Sequence, residues 1–166
     1  VYEGEKPVGI RGSARDITER FEAEKALALA SERFQQVAEN TEEWIWEVDA
    51  RGLYTYASPV VEKILGYRPD EIVGRMHFYD HIHPEERERA KKRGEEAFIR
   101  KEPRTEFVHR NIQKNGTTLW LSSSAVPIFD REGKVIGHRG AVTNITEREK
   151  AEESLLESEK KYRDLY

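Results

Sequence analysis

Hydrophobic and polar residues alternate along the segment EWIWEVD at 43–49, where Trp44, Trp46 and Val48 fall on one face. A period of two over this length predicts a half-buried β-strand. The turn-forming residues 50–52 come next, and they are followed by the aromatic and apolar run LYTYAS. This order predicts two consecutive strands joined by a short turn.

Three helices are predicted after these strands. Pro59 stands at a first helical position behind Ser58, which predicts Ser58 as the N-cap, and Gly66 predicts the end of this helix. A second short helix is predicted at 68–74. The charged run PEERERAKKRGEEAFIRK predicts a longer helix at 84–101.

The last part of the pattern returns to strands, near 104–113, 117–129 and 134–145. The turn sequences Asn115-Gly116 and DREG, at 130–133, separate them and suit tight hairpins. Strands, then short helices, then three consecutive antiparallel strands indicate an α+β domain with its helices against one face of the sheet.

The chain contains an internal repeat, since RDITER at 15–20 returns as TNITER at 143–148. The register is constant, and these residues have an identical counterpart at the same offset: Gly9, Arg11, Gly12, Ile17, Thr18, Glu19, Arg20, Ala23, Glu24 and Leu27. Each copy places helix-capping side chains after a strand-like run, Asp16 with Thr18 and Asn144 with Thr146. A strand is therefore predicted to pass directly into a helix at both places.

Both helices that follow the repeat carry apolar or small residues at alternating spacings of four and three. The two sets are Ala23, Leu27, Ala30, Phe34 and Val37, and Ala151, Leu155, Ser158, Tyr162 and Leu165. This spacing is the a/d pattern of a parallel coiled coil. The pattern is short, so packing of each helix on its own domain stays an alternative to a parallel dimer.

The repeat predicts the domain boundaries. Residues 1–20 are interpreted as the tail of a preceding domain, 21–38 as a linker helix, 39–146 as one complete domain, and 147–166 as an outgoing helix that leads to a further module. We expect 1–20 to be loosely ordered or to take contacts from another chain.

Composition narrows the classes of function. Hydrophobic residues make up 37% and charged residues 36% of the 166 residues, and the mean hydropathy of −0.83 predicts that part of the chain is solvated helix. The net charge of −4 gives no general attraction for nucleic acid or for an anionic membrane surface. Because the chain contains no cysteine, it has no disulfide, thiolate metal site, cysteine nucleophile or cysteinyl adduct.

No signal peptide and no apolar run of membrane-span length stand out in the sequence. We expect no membrane insertion by this segment and a cytoplasmic location, whether or not the parent protein is anchored in a membrane.

Four segments, in this order, resemble a PAS domain with its C-terminal PAC segment: EWIWEVDARGLYTYASP, ILGYRPDEIVG, HIHPEER and NGTTLWLSSSAVPIFDREGKVIGHRGAVTNITER. The resemblance covers roughly 40–148, and 1–20 resemble the end of a preceding PAS copy. It implies a five-stranded antiparallel sheet that cradles short helices. Many PAS domains have Asn where this chain has Ser58. The family serves as sensory or dimerisation modules in bacterial and archaeal signalling proteins, commonly histidine kinases and diguanylate cyclases.

The resemblance gives the repeated motif a role. In the family, Asp-x-Thr stands between the last strand and the outgoing helix, where a shift in the sheet can pass to the next module. The matching residues are Asp16 and Thr18 in the first copy and Asn144 and Thr146 in the second. Asn144 departs from the pattern, since an amide can cap a helix but cannot form a charged pair with a neighbouring Arg.

Candidate ligand-pocket residues lie on the predicted strands and combine stacking surfaces with polar groups: Trp44, Trp46, His109, Trp120, Ser122 and Ser124. Alternation places Ser122 and Ser124 on the face of Trp120. The alternative is that these residues fill the core or the outer face of the sheet.

His77, His81 and His83 are candidate haem ligands, because some PAS relatives hold haem through a histidine near these helices. Against this, His83-Pro84-Glu85-Glu86 is a good helix start. No metal site is predicted. Without cysteine only non-covalent flavin remains, and the default expectation is no cofactor.

No catalytic pair, phosphate loop, kinase ATP site or histidine phosphoacceptor is recognisable, so no enzymatic activity is predicted for this segment. Three functions stay open. The first is a relay that passes a ligand- or partner-induced change through the linker helices of a parallel homodimer to an output domain outside the segment. The second is a haem or small-molecule sensor, and the third is a passive dimerisation spacer.

Overall fold

The computed structural model of the chain describes residues 2–3, 6–7, 16–101 and 103–165. The chain divides into two compact units, Val1–Gln35 and Gln36–Tyr166. In the first unit, β1 (Tyr2–Glu3) pairs antiparallel with β2 (Lys6–Pro7). Most of the predicted tail at 1–20 lies outside the described residues, so its interpretation as the end of a preceding domain stays a prediction.

Helix α1 (Thr18–Asn40) contains the predicted linker helix at 21–38 and begins and ends two to three residues beyond it. Its apolar positions are exposed, with 72% of Leu27 accessible to solvent.

The second unit contains one antiparallel sheet of five strands, as predicted. The strands are β3 (Trp44–Asp49), β4 (Tyr54–Ala57), β5 (Arg104–Ile112), β6 (Thr118–Phe129) and β7 (Val135–Asn144). Their order across the sheet is β4-β3-β7-β6-β5, so the first and last strands of the domain meet at its centre. Every strand predicted for residues 39–146 is present, with ends within one or two residues of the prediction, whereas the strand predicted before the first copy of the repeated motif lies outside the described residues.

Four helices complete this unit: α2 (Val60–Leu65), α3 (Pro69–Ile72), α4 (Pro84–Arg100) and α5 (Thr146–Arg163). Gly66 ends α2 with a φ of 77°, a left-handed conformation that glycine adopts without strain. The core lies between the sheet and the short helices, and its fully buried members include Trp44, Val61, Leu65, Ile72 and Leu121.

The prediction of Ser58 as a helix cap was wrong. Pro59 occupies the N-cap position of α2, and no side chain makes a capping hydrogen bond there. The buried hydroxyl of Ser58 instead accepts a hydrogen bond from the backbone N–H of Ile45, at 3.0 Å, and the Ser58 N–H donates to the Ile45 carbonyl at 2.8 Å. Ser58 therefore fixes the start of α2 to the neighbouring strand β3, because a buried backbone donor needs a partner.

Gly94 interrupts the helical pattern of α4 for a packing reason. A Cβ at Gly94 would lie 2.5 Å from Cζ of Phe78, and a Cβ at Gly52 would lie 2.8 Å from Cδ1 of the same ring. The Phe78 ring is thus held between two glycines that no larger residue can replace without displacing it.

Replacing Gly94 by Ala is expected to lower the free energy of unfolding by about 1–2 kcal/mol, since forcing the Phe78 ring from its position costs more than the gain of about 1 kcal/mol in helix propensity. Urea denaturation measures this change. The matched test is Gly94→Ala in a Phe78→Leu background, where the smaller side chain should remove most of the penalty. An equal penalty in both backgrounds would show that the Phe78 ring is not the cause.

Helix α5 carries the second set of heptad positions on an exposed surface. Leu155 is 62% accessible, and Tyr162 and Leu165 are also exposed. The alternative that this helix packs its apolar positions on its own domain is therefore wrong for α5. No helix in the described ranges is long and apolar enough to cross a membrane.

Candidate ligand cavity and signal junction

A cavity of about 100 Å³ lies between the inner face of the sheet, helix α4 and the segment that precedes α4. Its wall is mostly apolar and aromatic, including Trp44 and Trp46 from β3, Phe78, and Phe98 from α4. Gly140 on β7 makes room for this wall, because a Cβ there would meet the ring of Trp46 and the carbonyl oxygen of Ser124.

Four of the six predicted pocket residues line this cavity: Trp44, Trp46, His109 and Ser124. Trp120 and Ser122 are not among its lining residues. Leu119 and Leu121 are buried on the inner face of β6, so Trp120, between them, faces outward. There the Arg110 guanidinium lies 5.8 Å from the centroid of the Trp120 ring.

A continuous chain of buried side-chain hydrogen bonds crosses the cavity wall. This buried hydrogen-bond chain runs through Tyr54, His81, Asn111, His109 and Ser123, in that order. Four of these five residues line the cavity, and Asn111 lies behind them, fully buried.

The contacts of the chain have a consistent set of donors and acceptors. The Tyr54 hydroxyl lies 2.7 Å from Nε2 of His81, and Nδ1 of His81 lies 2.6 Å from Oδ1 of Asn111. Nδ2 of Asn111 donates to Nδ1 of His109 at 2.5 Å, and Nε2 of His109 lies 3.1 Å from Oγ of Ser123. Oδ1 can only accept and Nδ2 can only donate, so each imidazole uses one nitrogen as donor and the other as acceptor.

Both histidines of the chain are held neutral. Burial lowers the pKa of His81 to about 4, against a hydrogen bond to Asn111 that acts in the opposite direction. Burial, together with the repulsion of His81, lowers the pKa of His109 to about 4. Burial and the negative charge of Asp80 raise the pKa of Tyr54. The chain therefore stays uncharged at neutral pH.

The three candidate haem ligands lie in different environments. His81 uses both ring nitrogens in the buried hydrogen-bond chain, so iron ligation would break one of these bonds. His83 caps α4, where its Nδ1 accepts from the Glu85 N–H at 3.4 Å. His77 stacks on Tyr79 and lies 3.6 Å from Asp80. Of the three, only His81 lines the cavity, and both of its ring nitrogens are already bonded, so this arrangement does not favour haem.

Polar groups that the sequence analysis did not select also line the cavity. They include Arg93, Arg104 and His138. The ring of His138 packs edge-on against Phe98, with 4.4 Å between the ring centroids. Burial and the charge of Arg104 lower the pKa of His138, while a hydrogen bond to the backbone of Ala97 opposes the shift.

Two nitrogens of cavity-lining side chains are buried without a hydrogen-bond partner in the part of the chain that the structure describes. They are Nε1 of Trp44 and Nε2 of His138. Buried polar groups without partners are rare and costly in folded proteins. Within the described ranges, no group of three or more His, Asp or Glu side chains is arranged to hold a metal ion.

The second copy of the repeated motif joins β7 to α5. Thr146 is 7% accessible, and its Oγ1 accepts a hydrogen bond from the Trp120 N–H of β6 at 3.0 Å. Asn144 Oδ1 accepts from the backbone N–H of Thr146 at 3.0 Å, and the Ile145 N–H donates to the Trp120 carbonyl at 2.9 Å. Ile145, and not Asn144, is the N-cap residue of α5. The start of the outgoing helix is thus fixed to the sheet.

The first copy has the same local hydrogen bond in an exposed setting. Asp16 Oδ1 accepts from the Thr18 N–H at 2.9 Å at the start of α1, and the bonds to Thr18 lower the pKa of Asp16. The repeat therefore produces the same local geometry at both helix starts.

A small cavity in the concave face of an antiparallel sheet, next to an outgoing helix that is hydrogen-bonded to that sheet, is the architecture of a sensory signal-transduction module. The chain belongs to the PAS fold family, whose model matches residues 54–142. Because this match covers more than half of the chain, it confirms the family that the sequence motifs indicated.

Two relatives resemble most of this chain. The chain is 26% identical over 136 residues to Sporulation kinase C of Bacillus subtilis, covering 76% of this chain and 29% of that protein. It is 26% identical to the uncharacterized protein y4lL of Sinorhizobium fredii, over 90% of this chain and 18% of that protein. The chain thus spans less than a third of each of these two relatives.

Solved structures share the fold. The crystal structure of a sensory box histidine kinase/response regulator from Burkholderia thailandensis matches with a TM-score of 0.63 and 22% identity, over 80% of this chain and 98% of that chain. A PAS domain from Colwellia psychrerythraea matches with a TM-score of 0.64 and 20% identity, over 74% of this chain and 98% of that chain. The predicted α+β class and five-stranded sheet are confirmed.

Proposed function

We propose that this chain is a sensory and relay module whose input is a small molecule in the cavity and whose output is a change at the start of α5. The observation that carries the proposal is the double role of strand β6. Its inner face contributes Ser123 and Ala125 to the cavity wall, and its Trp120 backbone binds Thr146 and Ile145 at the junction. A ligand that shifts β6 therefore acts on both hydrogen bonds at the start of the outgoing helix.

The open cavity supports a sensor more than a passive spacer. A spacer needs no internal space, and a filled core would stabilise it better, since a cavity forfeits packing contacts. The cavity wall also contains polar side chains, which a purely structural core avoids unless each is paired.

The relay acts in a parallel homodimer, in which the exposed heptad positions of α5 pair between two copies. Further PAS or output domains of the same chain adjoin the helices at 21–38 and 147–166. The segment itself has no enzymatic activity, and any kinase or cyclase activity belongs to the rest of the protein. We assign the module to the cytoplasm, where its neighbours in a two-component system would act.

The test is a variant that fills the cavity without ligand. Ala125→Leu is expected to change amide hydrogen exchange in the first turn of α5 by about threefold or more, because the larger side chain displaces β6. Ala141→Leu is the matched control, since Ala141 lies on the neighbouring strand β7 and is not a cavity-lining residue. Thr146→Val, which removes the hydroxyl and keeps the shape, should reduce the response to Ala125→Leu, while the backbone bond from Ile145 to Trp120 remains.

Unchanged exchange in α5 for Ala125→Leu, or the same change for Ala141→Leu, would contradict the relay. Native mass spectrometry of the same samples should show dimers. A monomer under these conditions would contradict the dimer part of the proposal alone.

A further inference from the structure

The start of α4 and the start of α5 are bound to the same pair of residues in the sheet. Arg110 on β5 and Trp120 on β6 lie directly opposite each other. The Arg110 N–H donates to Oε2 of Glu86 on α4 at 3.0 Å, and the Arg110 carbonyl accepts from the His83 N–H at 2.9 Å. Both main-chain groups of Arg110 are therefore used by the segment that begins α4.

The main-chain groups of Trp120 are used in the same way at the start of α5. Its N–H donates to Oγ1 of Thr146 at 3.0 Å, and its carbonyl accepts from the Ile145 N–H at 2.9 Å. The N–H and the carbonyl of a strand residue point to the same side, so Arg110 and Trp120 form a non-hydrogen-bonded pair. In such a pair the side chains lie close together and make the contact between the two residues.

The Arg110 side chain joins this pair to α4. Its Nε donates to Oε1 of Glu86 and its Nη2 donates to Oε2 of Glu85, both at 2.7 Å. The same guanidinium lies 5.8 Å from the centroid of the Trp120 ring. The carboxylate of Glu86 thus binds both the main chain and the side chain of Arg110, and charged hydrogen bonds of this length are among the stronger contacts between side chains.

Glu86 connects this contact to the cavity. Burial raises the pKa of Glu86, but the hydrogen bonds and the charge of Arg110 outweigh this effect, so the pKa lies below its ordinary value and the side chain is a carboxylate at neutral pH. Ala90, one helical turn further along α4, is 1% accessible and lines the cavity. A ligand that pushes on α4 at Ala90 therefore also moves the carboxylate that holds Arg110.

We propose that Arg110 is a positioning residue that carries a displacement of α4 to the start of α5, through its contacts with Glu86 and Trp120. Arg110 is not among the cavity-lining residues, so it acts on the signal and not on the ligand. This route is separate from the direct displacement of β6 by a ligand. The inference rests on the proposed function, in which the start of α5 is the output.

The experiment displaces α4 and measures amide hydrogen exchange in the first turn of α5. Ala90→Leu is expected to change this exchange by about threefold or more. In an Arg110→Met background, which keeps a long side chain without the guanidinium, Ala90→Leu should change it less than about 1.5-fold. Arg89, 3.8 Å from Glu86, keeps a cation near that carboxylate in this background. Ala90→Val adds less volume and gives the same comparison if Ala90→Leu does not fold.

The Trp120 side chain reports the intermediate step. Ala90→Leu should shift the indole N–H signal of Trp120 in the NMR spectrum, because the Arg110 guanidinium beside the ring moves with α4. The shift should be at least about threefold smaller in the Arg110→Met background, a difference that a general loss of stability would not produce.

Two controls accompany these variants. Arg139→Met removes a guanidinium from the same outer face of the sheet, where Arg139 pairs with Glu47 at 3.0 Å, and should leave the response to Ala90→Leu within about 1.5-fold of that in the wild type. Ala125→Leu displaces β6 directly, so its effect on α5 should persist in the Arg110→Met background.

Four results would overturn the role of Arg110. They are an equal response to Ala90→Leu with and without Arg110, an equal loss of that response in Arg139→Met, unchanged exchange in α5 for both Ala90 variants, and loss of the Ala125→Leu response in Arg110→Met. None of them by itself removes the proposed relay. That proposal fails only if Ala125→Leu leaves hydrogen exchange in α5 of the wild type unchanged or Ala141→Leu has the same effect.

Discussion

Lowering the pH from about 7 to about 4 is expected to reduce the free energy of unfolding by about 5 kcal/mol, because His81 and His109 are buried in neutral form. Their pKa values fall from 6.5 to about 4 in the folded chain. Each shift corresponds to about 3 kcal/mol, and the two contributions are less than additive because the sites repel each other when charged.

The sign follows from proton binding. Between about pH 6.5 and pH 4 the unfolded chain binds more protons than the folded chain, so stability falls with falling pH in that window. The stability that the two neutral histidines contribute is fully present above their unfolded pKa of 6.5. It is lost once the pH falls below their folded pKa of about 4. The pKa values of Glu85 and Glu86 are lowered mainly through Arg110. Protonation of these two carboxylates adds to the loss of stability only below their ordinary pKa of 4.5.

Urea denaturation at a series of pH values from about 7.5 to 5 isolates the two histidines from the carboxylates. His81→Gln removes one titrating group and should reduce the pH dependence by about a third or more, since His138, whose pKa is also lowered by burial, titrates in the same window. The same substitution at His77, which lies outside the buried hydrogen-bond chain, controls for the loss of an imidazole. Equal slopes for wild type and His81→Gln would contradict the assignment.

Replacing Asn111 by Ala is expected to lower the free energy of unfolding by about 4 kcal/mol, since it leaves one buried nitrogen of each of two imidazole rings without a partner. Asn111 is completely inaccessible, and its amide joins Nδ1 of His81 to Nδ1 of His109. Each unpaired buried group costs about 1–3 kcal/mol, and the space left by the amide adds to this.

The matched control is Asn115→Ala in the hairpin between β5 and β6. Asn115 Oδ1 accepts from the Thr117 N–H at 2.9 Å in an exposed turn. Water replaces that bond, so a loss of only about 1 kcal/mol is expected. Urea denaturation at neutral pH measures both variants. If Asn111→Ala lowers the free energy of unfolding no more than Asn115→Ala does, the buried hydrogen-bond chain contributes little to stability.

The strands and helices were predictable because each carries a local signal. Alternation marked β3, the turn residues Asn115 and Gly116 marked a hairpin, and Gly66 marked the end of α2. Ser58 was assigned to the wrong partner, because its bond to Ile45 depends on how α2 packs beside β3. Such a bond across elements leaves no mark in the local spacing.

The cavity was predictable in part for the same reason. Trp44 and Trp46 share a face of one strand, so alternation placed both correctly on one wall. Trp120 was grouped with them as an aromatic residue, although its own strand turns it outward. Tyr54, Asn111 and His138 were missed, since each lies on a different strand and only the order of strands in the sheet brings them to one space.

One available signal was overlooked. Phe107, His109 and Asn111 follow one another at a spacing of two on β5, and all three side chains turn inward. Two polar residues on an inward face predict a buried polar group that needs partners.

The Ser123 hydroxyl donates to the backbone carbonyl of Phe107 at 3.3 Å, and a carbonyl oxygen has no hydrogen to return. Only lone pairs of Ser123 then remain for His109, which must present its hydrogen at Nε2. Asn111 in turn must present its amide hydrogen to His109 and its oxygen to His81. The carbonyl oxygen of Phe107, on the edge strand β5, thus selects the tautomer of His81, which is the third side chain along from Ser123. Reversing that selection requires all the intervening groups to change together.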